Sequence, residues 1–140
     1  MPDCIFCKIV KGEIPSTKIF ESDKALAFLD INPLTKGHCV VIPKEHHDNV
    51  FDIPLEDLKI LITDAKQLAD LLRGCLDADG VNLVNASGMA AEQSVFHFHI
   101  HIVPRYEGDG LQMNQWWQTK TRPADREELT KLAKEIKNNQ

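Results

Sequence analysis

Residues 93–104, Gln93-Ser94-Val95-Phe96-His97-Phe98-His99-Ile100-His101-Ile102-Val103-Pro104, carry two registers that do not mix. Phe96, Phe98, Ile100 and Ile102 take one parity, and His97, His99 and His101 take the other. Alternation of period two marks a half-buried β-strand, so the apolar set is expected to face a core and the imidazoles to share the opposite face. Next-but-one residues on a strand lie roughly 6.6 Å apart. That spacing suits three imidazoles with separate tasks in one cleft, and it also lets two of them turn onto one metal. A lone histidine on a strand's outer face is ordinary surface. Three in register, preceded by Gln93-Ser94 and followed by Arg105, point to a site.

The flanking chain reads as strands and helices that enclose this stretch. Residues 4–14 form a short helix stopped near Gly12, with Pro15 beyond, and Ile5, Phe6, Ile9 and Val10 give it an apolar side. Strands are expected at 17–21 and 25–29 around the turn residues Ser22-Asp23, and a loop from Asp30 to Gly37 leads to a third strand at 38–42. Residues 55–76 are the strongest helix. Leu55, Leu58, Ile62, Ala65, Ala69, Leu72 and Leu76 recur at three and four, widened by Leu61 and Leu68. Pro54 opens it, and Glu56 and Asp57 place negative charge in its first turn. A fourth strand follows at 81–84. Residues 105–122 read as irregular, and a last helix from about Pro123 carries Leu129, Leu132, Ala133 and Ile136. Five strands able to pair in sequence, without βαβ alternation, make an α+β fold: an antiparallel meander with a long helix between strands and a helix at the C-terminus.

At 140 residues the chain reads as one domain, 1–140, with a core over about 3–107 and an extension over 108–140. Net charge is −5 and no lysine or arginine cluster appears, which argues against a polynucleotide partner while leaving mononucleotides open. No apolar run approaches the roughly 20 residues of a membrane span, and no signal-peptide core is visible, so the expected location is the cytoplasm. Four cysteines in such a chain read as thiols or metal ligands rather than a disulfide framework.

Cys4 and Cys7 are spaced as half of a tetrahedral zinc site or as a redox pair. A redox pair would prefer a helix start after a strand, and no strand precedes residue 4. Zinc then needs two more ligands, for which the chain offers His46 or His47 and one strand histidine. Cys39 and Cys75 sit in apolar contexts and read as core, while His47 reads as surface. An imidazole is a good nucleophile near neutral pH, because an ordinary pKa of about 6.5 leaves one nitrogen unprotonated. His101, Ser94, Gln93 and nearby backbone N–H groups are candidate donors to a phosphoryl group.

Four segments together resemble one family. They are Cys4-Ile5-Phe6-Cys7-Lys8-Ile9, Ala27-Phe28-Leu29-Asp30-Ile31-Asn32-Pro33, Gly37-His38-Cys39-Val40-Val41-Ile42-Pro43-Lys44 with His46, and residues 93–105. Over roughly residues 3–107 the chain resembles the histidine-triad (HIT) superfamily, and most closely its bacterial Hint-like branch. The resemblance implies that His99 attacks the α-phosphorus of a nucleotide conjugate, forming a nucleotidyl-histidine that water hydrolyses. His101 and Ser94 would contact the phosphate or leaving group, and His38 would buttress the nucleophile. Asp30 would accept the ribose hydroxyls, while Ile31, Phe6 and Ile9 form an apolar slot for a purine, as in AMP. Gln93 and Asn85 would also border the nucleotide. Structural zinc would be held by Cys4, Cys7, His46 and His97, and the chain would pair as a homodimer with one continuous sheet.

Two positions depart from the family pattern. Glu92 stands where glycine is usual before Gln93, and Ala86 stands where asparagine is common, with Asn85 one residue earlier. A carboxylate beside a phosphate repels it unless it points away or is paired. The expected activity is that of a nucleotide phosphoramidase or nucleotidyl hydrolase. The alternatives are a dinucleoside polyphosphate hydrolase, a nucleotide-binding module impaired by Glu92, and an enzyme in which the three strand histidines hold a catalytic metal. Trp116 and Trp117 are expected at a dimer interface, at the substrate mouth or in ordinary packing.

Overall fold

The computed structural model describes residues 3–140. In chain order it contains α1 (Ile5–Val10), β1 (Lys18–Glu21), β2 (Ala25–Leu29), β3 (Cys39–Pro43), α2 (Leu55–Leu76), β4 (Gly80–Val84), a 3-10 turn at Met89–Ala91, β5 (Ile100–Arg105), α3 (Gln115–Lys120) and α4 (Arg126–Asn138). The strands form one antiparallel sheet in the order β1-β2-β3-β5-β4. This is the α+β meander that the apolar pattern predicts, with β5 inserted between β3 and β4.

Period two in β2 and β3 sends alternate residues to opposite faces, and both faces are covered. Ala25, Ala27, Cys39 and Val41 pack with Phe98, Ile100 and Ile102 against Leu61, Ala65, Leu68 and Leu72 of α2. Leu26, Phe28, Val40 and Ile42 pack with Ile9, Phe6 and Val10 of α1. Each fully buried aliphatic or aromatic side chain contributes about 1.5–3 kcal/mol. The two layers therefore hold the sheet from both sides. Gly37, at φ +91, turns the chain into β3 in a backbone conformation that favours glycine, with the Leu76 side chain of α2 close by.

Several expectations change. The stripe of α2 meets the sheet as expected through Leu58, Leu61, Ala65, Leu68, Ala69, Leu72 and Leu76, but Leu55 and Ile62 are exposed. Cys75 is exposed rather than core, and Cys39 is buried, which pushes its thiol up to about 12. The alternating stretch becomes ladder only from Ile100. Val41 pairs with Ile100, so continuing the register would set Phe98 against Pro43, which has no N–H to give. The Phe98 N–H instead donates to the His47 carbonyl at 2.6 Å, and Phe96 turns outward.

Residues through Asp109 make one compact unit and Gly110–Gln140 another. The second contains α3, within the stretch expected to be irregular. Its six residues are too few to display a stripe. Trp116 and Trp117 stack on each other there, ring centroids 4.3 Å apart, and both are exposed. The Asp125 side chain caps α4, whose Leu129, Leu132 and Ile136 form an exposed apolar row.

Candidate functional site

The start of α1, the segment after β3 and the approach to β5 bring four predicted ligands together. Cys4 Sγ lies 3.3 Å from His97 Nδ1, Cys7 Sγ 3.3 Å from His46 Nδ1, and Cys7 Sγ 3.6 Å from His97 Nδ1. All four donor atoms fall within 4.8 Å of one another. Tetrahedral zinc with Zn–S near 2.3 Å and Zn–N near 2.05 Å sets S···N separations of about 3.6 Å, so these residues fit the ion. Tautomers agree. His97 Nε2–H donates to the Pro43 carbonyl at 2.7 Å and His46 Nε2–H to Asp48 Oδ1 at 2.8 Å, leaving both Nδ1 lone pairs facing the thiols. Burial, reinforced by neighbouring imidazoles, holds His97 down to about 4.

The second group descends from β3 and β5. Val40 pairs with His101, and His38, two residues before Val40, falls on the same face. Donor and acceptor rules fix the rings. The Leu34 N–H donates to His38 Nδ1 at 3.0 Å, so His38 carries its proton on Nε2. That Nε2–H lies 2.9 Å from His101 Nδ1 and 3.6 Å from Asp30 Oδ2. His101 must then accept at Nδ1, and its own proton sits on Nε2. His99 is set the opposite way. Its Nδ1–H donates to the His97 carbonyl at 2.7 Å, leaving a lone pair on Nε2. The His99 and His101 rings are adjacent, centroids 5.0 Å apart and nearly perpendicular, one with a bare Nε2 and the other with an Nε2–H.

All three rings are neutral near pH 7. Burial lowers His99 and His38 below the ordinary value, outweighing the Asp30 charge, and burial with the His99 and His38 rings brings His101 to about 4. His99 is only 3% exposed. Among the described residues nothing hydrogen-bonds Nε2, and the one sealed side-chain N or O atom without a partner is Asp64 Oδ2.

A model of the HIT domain matches residues 11–108. The chain belongs to the HIT family. This HIT protein is similar to SMU.412c from Streptococcus mutans UA159, whose crystal structure superimposes with TM-score 0.91 at 40% identity, covering 99% of this chain and 86% of that one. It is 42% identical over 134 residues to adenosine 5'-monophosphoramidase HNT1 of Saccharomyces cerevisiae, covering 95% of this chain and 80% of the relative. A zinc-bound histidine triad family protein from Mycobacterium smegmatis aligns at 41% identity and TM-score 0.77, over 91% of this chain and 87% of that one.

Within this HIT protein the other expected residues have different placements. His38 buttresses His101, not His99, because its proton-bearing nitrogen meets His101 Nδ1. Asn85 Nδ2 donates to the His99 carbonyl at 2.9 Å, fixing the backbone of that residue. Gln93 is buried with its amide spent on backbone: Nε2 donates to the Asp48 and Val95 carbonyls, and Oε1 accepts from the Gly88 N–H. It braces loops. Asp30 Oδ1 accepts the Asn32 N–H at 2.8 Å, and Ile31 beside it is 89% exposed. Ile9 is buried in the α1 layer, and the Phe6 ring meets His99 edge-on at 5.2 Å. Ser94 is exposed and lines a cavity of about 510 Å³ with Asp3, Cys4, Ile5, His46, Asp48, Val95 and Phe96.

His47 is not surface. Its side chain is 11% exposed and its Nε2 lies 3.2 Å from Asp57 Oδ2, tying the β3 exit to α2. The three strand histidines do not converge on one ion either, since His97 turns to the thiols, His99 to a carbonyl and His101 to His38. Sequence reading missed three orienting groups. Asp48, two residues after His46, was within reach of a search for flanking carboxylates. The Pro43 carbonyl and Leu34 N–H carry no side-chain signal.

Proposed function

We propose that this HIT protein is a nucleotide phosphoramidase or nucleotidyl hydrolase acting at the α-phosphate of purine nucleotide conjugates. The observation that carries the reading is the opposite tautomers of two adjacent rings, a lone pair left on His99 Nε2 and a proton on His101 Nε2. Nε2 attacks the α-phosphorus, the bond to the leaving nitrogen or oxygen breaks, and the departing group takes a proton from solvent. His101 donates to a phosphoryl oxygen as charge builds. Water then attacks the phosphorus and gives up a proton to solvent, the P–Nε2 bond breaks with its electron pair returning to His99, and a mononucleotide such as AMP leaves.

Asp30 accepts the ribose hydroxyls, for which its carboxylate retains lone pairs beyond the one bonded to Asn32. Ile31 covers the purine, joined by Phe6, with Ile9 backing that ring from the core. Ser94 donates to the phosphate or leaving group. Asn85 and Gln93 act through the backbone they hold. Cys4, Cys7, His46 and His97 would hold zinc, whose four protein ligands make its contribution a cross-link between chain segments. Two copies associate through the β4 edge of the sheet.

The test is hydrolysis of adenosine 5'-phosphoramidate by purified protein. Wild type releases AMP, and His99→Asn loses about 10³-fold or more in kcat. Wild type without AMP release, or a variant as active as wild type, contradicts the reading.

A further inference from the structure

We infer that occupancy of the Cys4, Cys7, His46 and His97 site governs the reactivity of His99, transmitted by the His97 carbonyl and the Phe6 ring. The inference rests on the phosphoramidase reading and adds a mode of control to it. His97 belongs to both sites at once. Its side chain presents Nδ1 to the thiols while its backbone carbonyl takes the His99 Nδ1–H at 2.7 Å. That bond alone decides which His99 nitrogen carries the lone pair. If the carbonyl moves out of reach, the His99 proton is free to sit on either nitrogen, and the Nε2-protonated form cannot attack.

Phe6 supplies the second link. It lies between Cys4 and Cys7 on α1, and its ring meets His97 at 5.8 Å and His99 at 5.2 Å, both edge-on, with Phe28 behind it at 5.6 Å. Drawing Cys4 and Cys7 toward His97 therefore seats Phe6 against His99. Within the site itself, α1 is six residues long and its N-cap is Cys4, whose sulfur accepts the Cys7 N–H at 3.4 Å. A helix this short depends on tertiary contacts for its order. The site is also open to exchange: Cys4 and His46 line the cavity of about 510 Å³ that leads outward. His97 is thus a positioning residue, acting on phosphorus only through its neighbour.

The experiment compares zinc-loaded protein, protein stripped with a chelator, and stripped protein given zinc again. The primary readout is the pair of His99 ring ¹⁵N shifts, assigned with His99→Asn. Loaded and reloaded samples should show one Nδ1–H tautomer; stripped protein should show averaging between the two, with amide dispersion retained. With adenosine 5'-phosphoramidate, stripping should lower kcat about 10–100-fold, and zinc should restore it. Identical His99 shifts with and without metal overturn the inference, as does global loss of amide dispersion on stripping, which would make the metal a support of the fold. The ring shifts need no turnover, so failure here is distinguishable from failure of the phosphoramidase reading.

Discussion

At the scale of single residues, the two reactive rings are prepared by opposite tautomers, and each depends on one backbone group. The His97 carbonyl fixes His99, and the Leu34 N–H fixes His101 through His38. A neutral His99 is required for attack. Because burial lowers its pKa, protonation competes only below the ordinary value of 6.5. The acid limb of kcat/KM should therefore fall below pH 6.5, with activity level from there to pH 8. A limb above 7 would show His99 favouring its charged form and contradict this geometry. The residue types of the site were legible because chemistry-bearing side chains stand at period two. The direction each ring faces was not, since it is set by main-chain groups that leave no trace in residue identity.

Elements show a similar division. The α2 and β2 boundaries follow directly from periodicity and from Pro54, Ser22 and Asp30. The start of β5 does not, because the ladder ends where Pro43 would have to donate. Nor does α3, which is a turn and a half with no buried face. The 3-10 turn before the histidines carries a strain of its own. Glu92 closes it at φ 64, a left-handed conformation that costs most residues about 1–2 kcal/mol and costs glycine nothing. Glu92→Gly should raise unfolding stability by about 0.5–1 kcal/mol, part of the relief being offset by greater freedom in the unfolded chain. Denaturant midpoints measure this. An unchanged or lowered midpoint would mean the carboxylate stabilises the turn by more than the backbone loses.

For the molecule as a whole, both faces of the sheet are covered within the first unit, while β4 has β5 on one side only and Leu83 stands 47% exposed upon it. A terminal strand of this kind invites pairing with another strand. Sedimentation should show wild type as a dimer at micromolar concentration and Leu83→Glu as a monomer with its circular dichroism unchanged. A monomeric wild type would remove the proposed assembly. Among the described residues no helix is long and apolar enough to cross a membrane.

The most direct measurement is rapid quenching of wild type with an adenosine phosphoramidate, followed by mass mapping of the modified peptide. The account predicts one nucleotidyl group, stable to base and labile to acid, on Nε2 of His99, accumulating and decaying at rates consistent with turnover. Turnover with no adduct at His99, or with the nucleotidyl group on another residue, would contradict it.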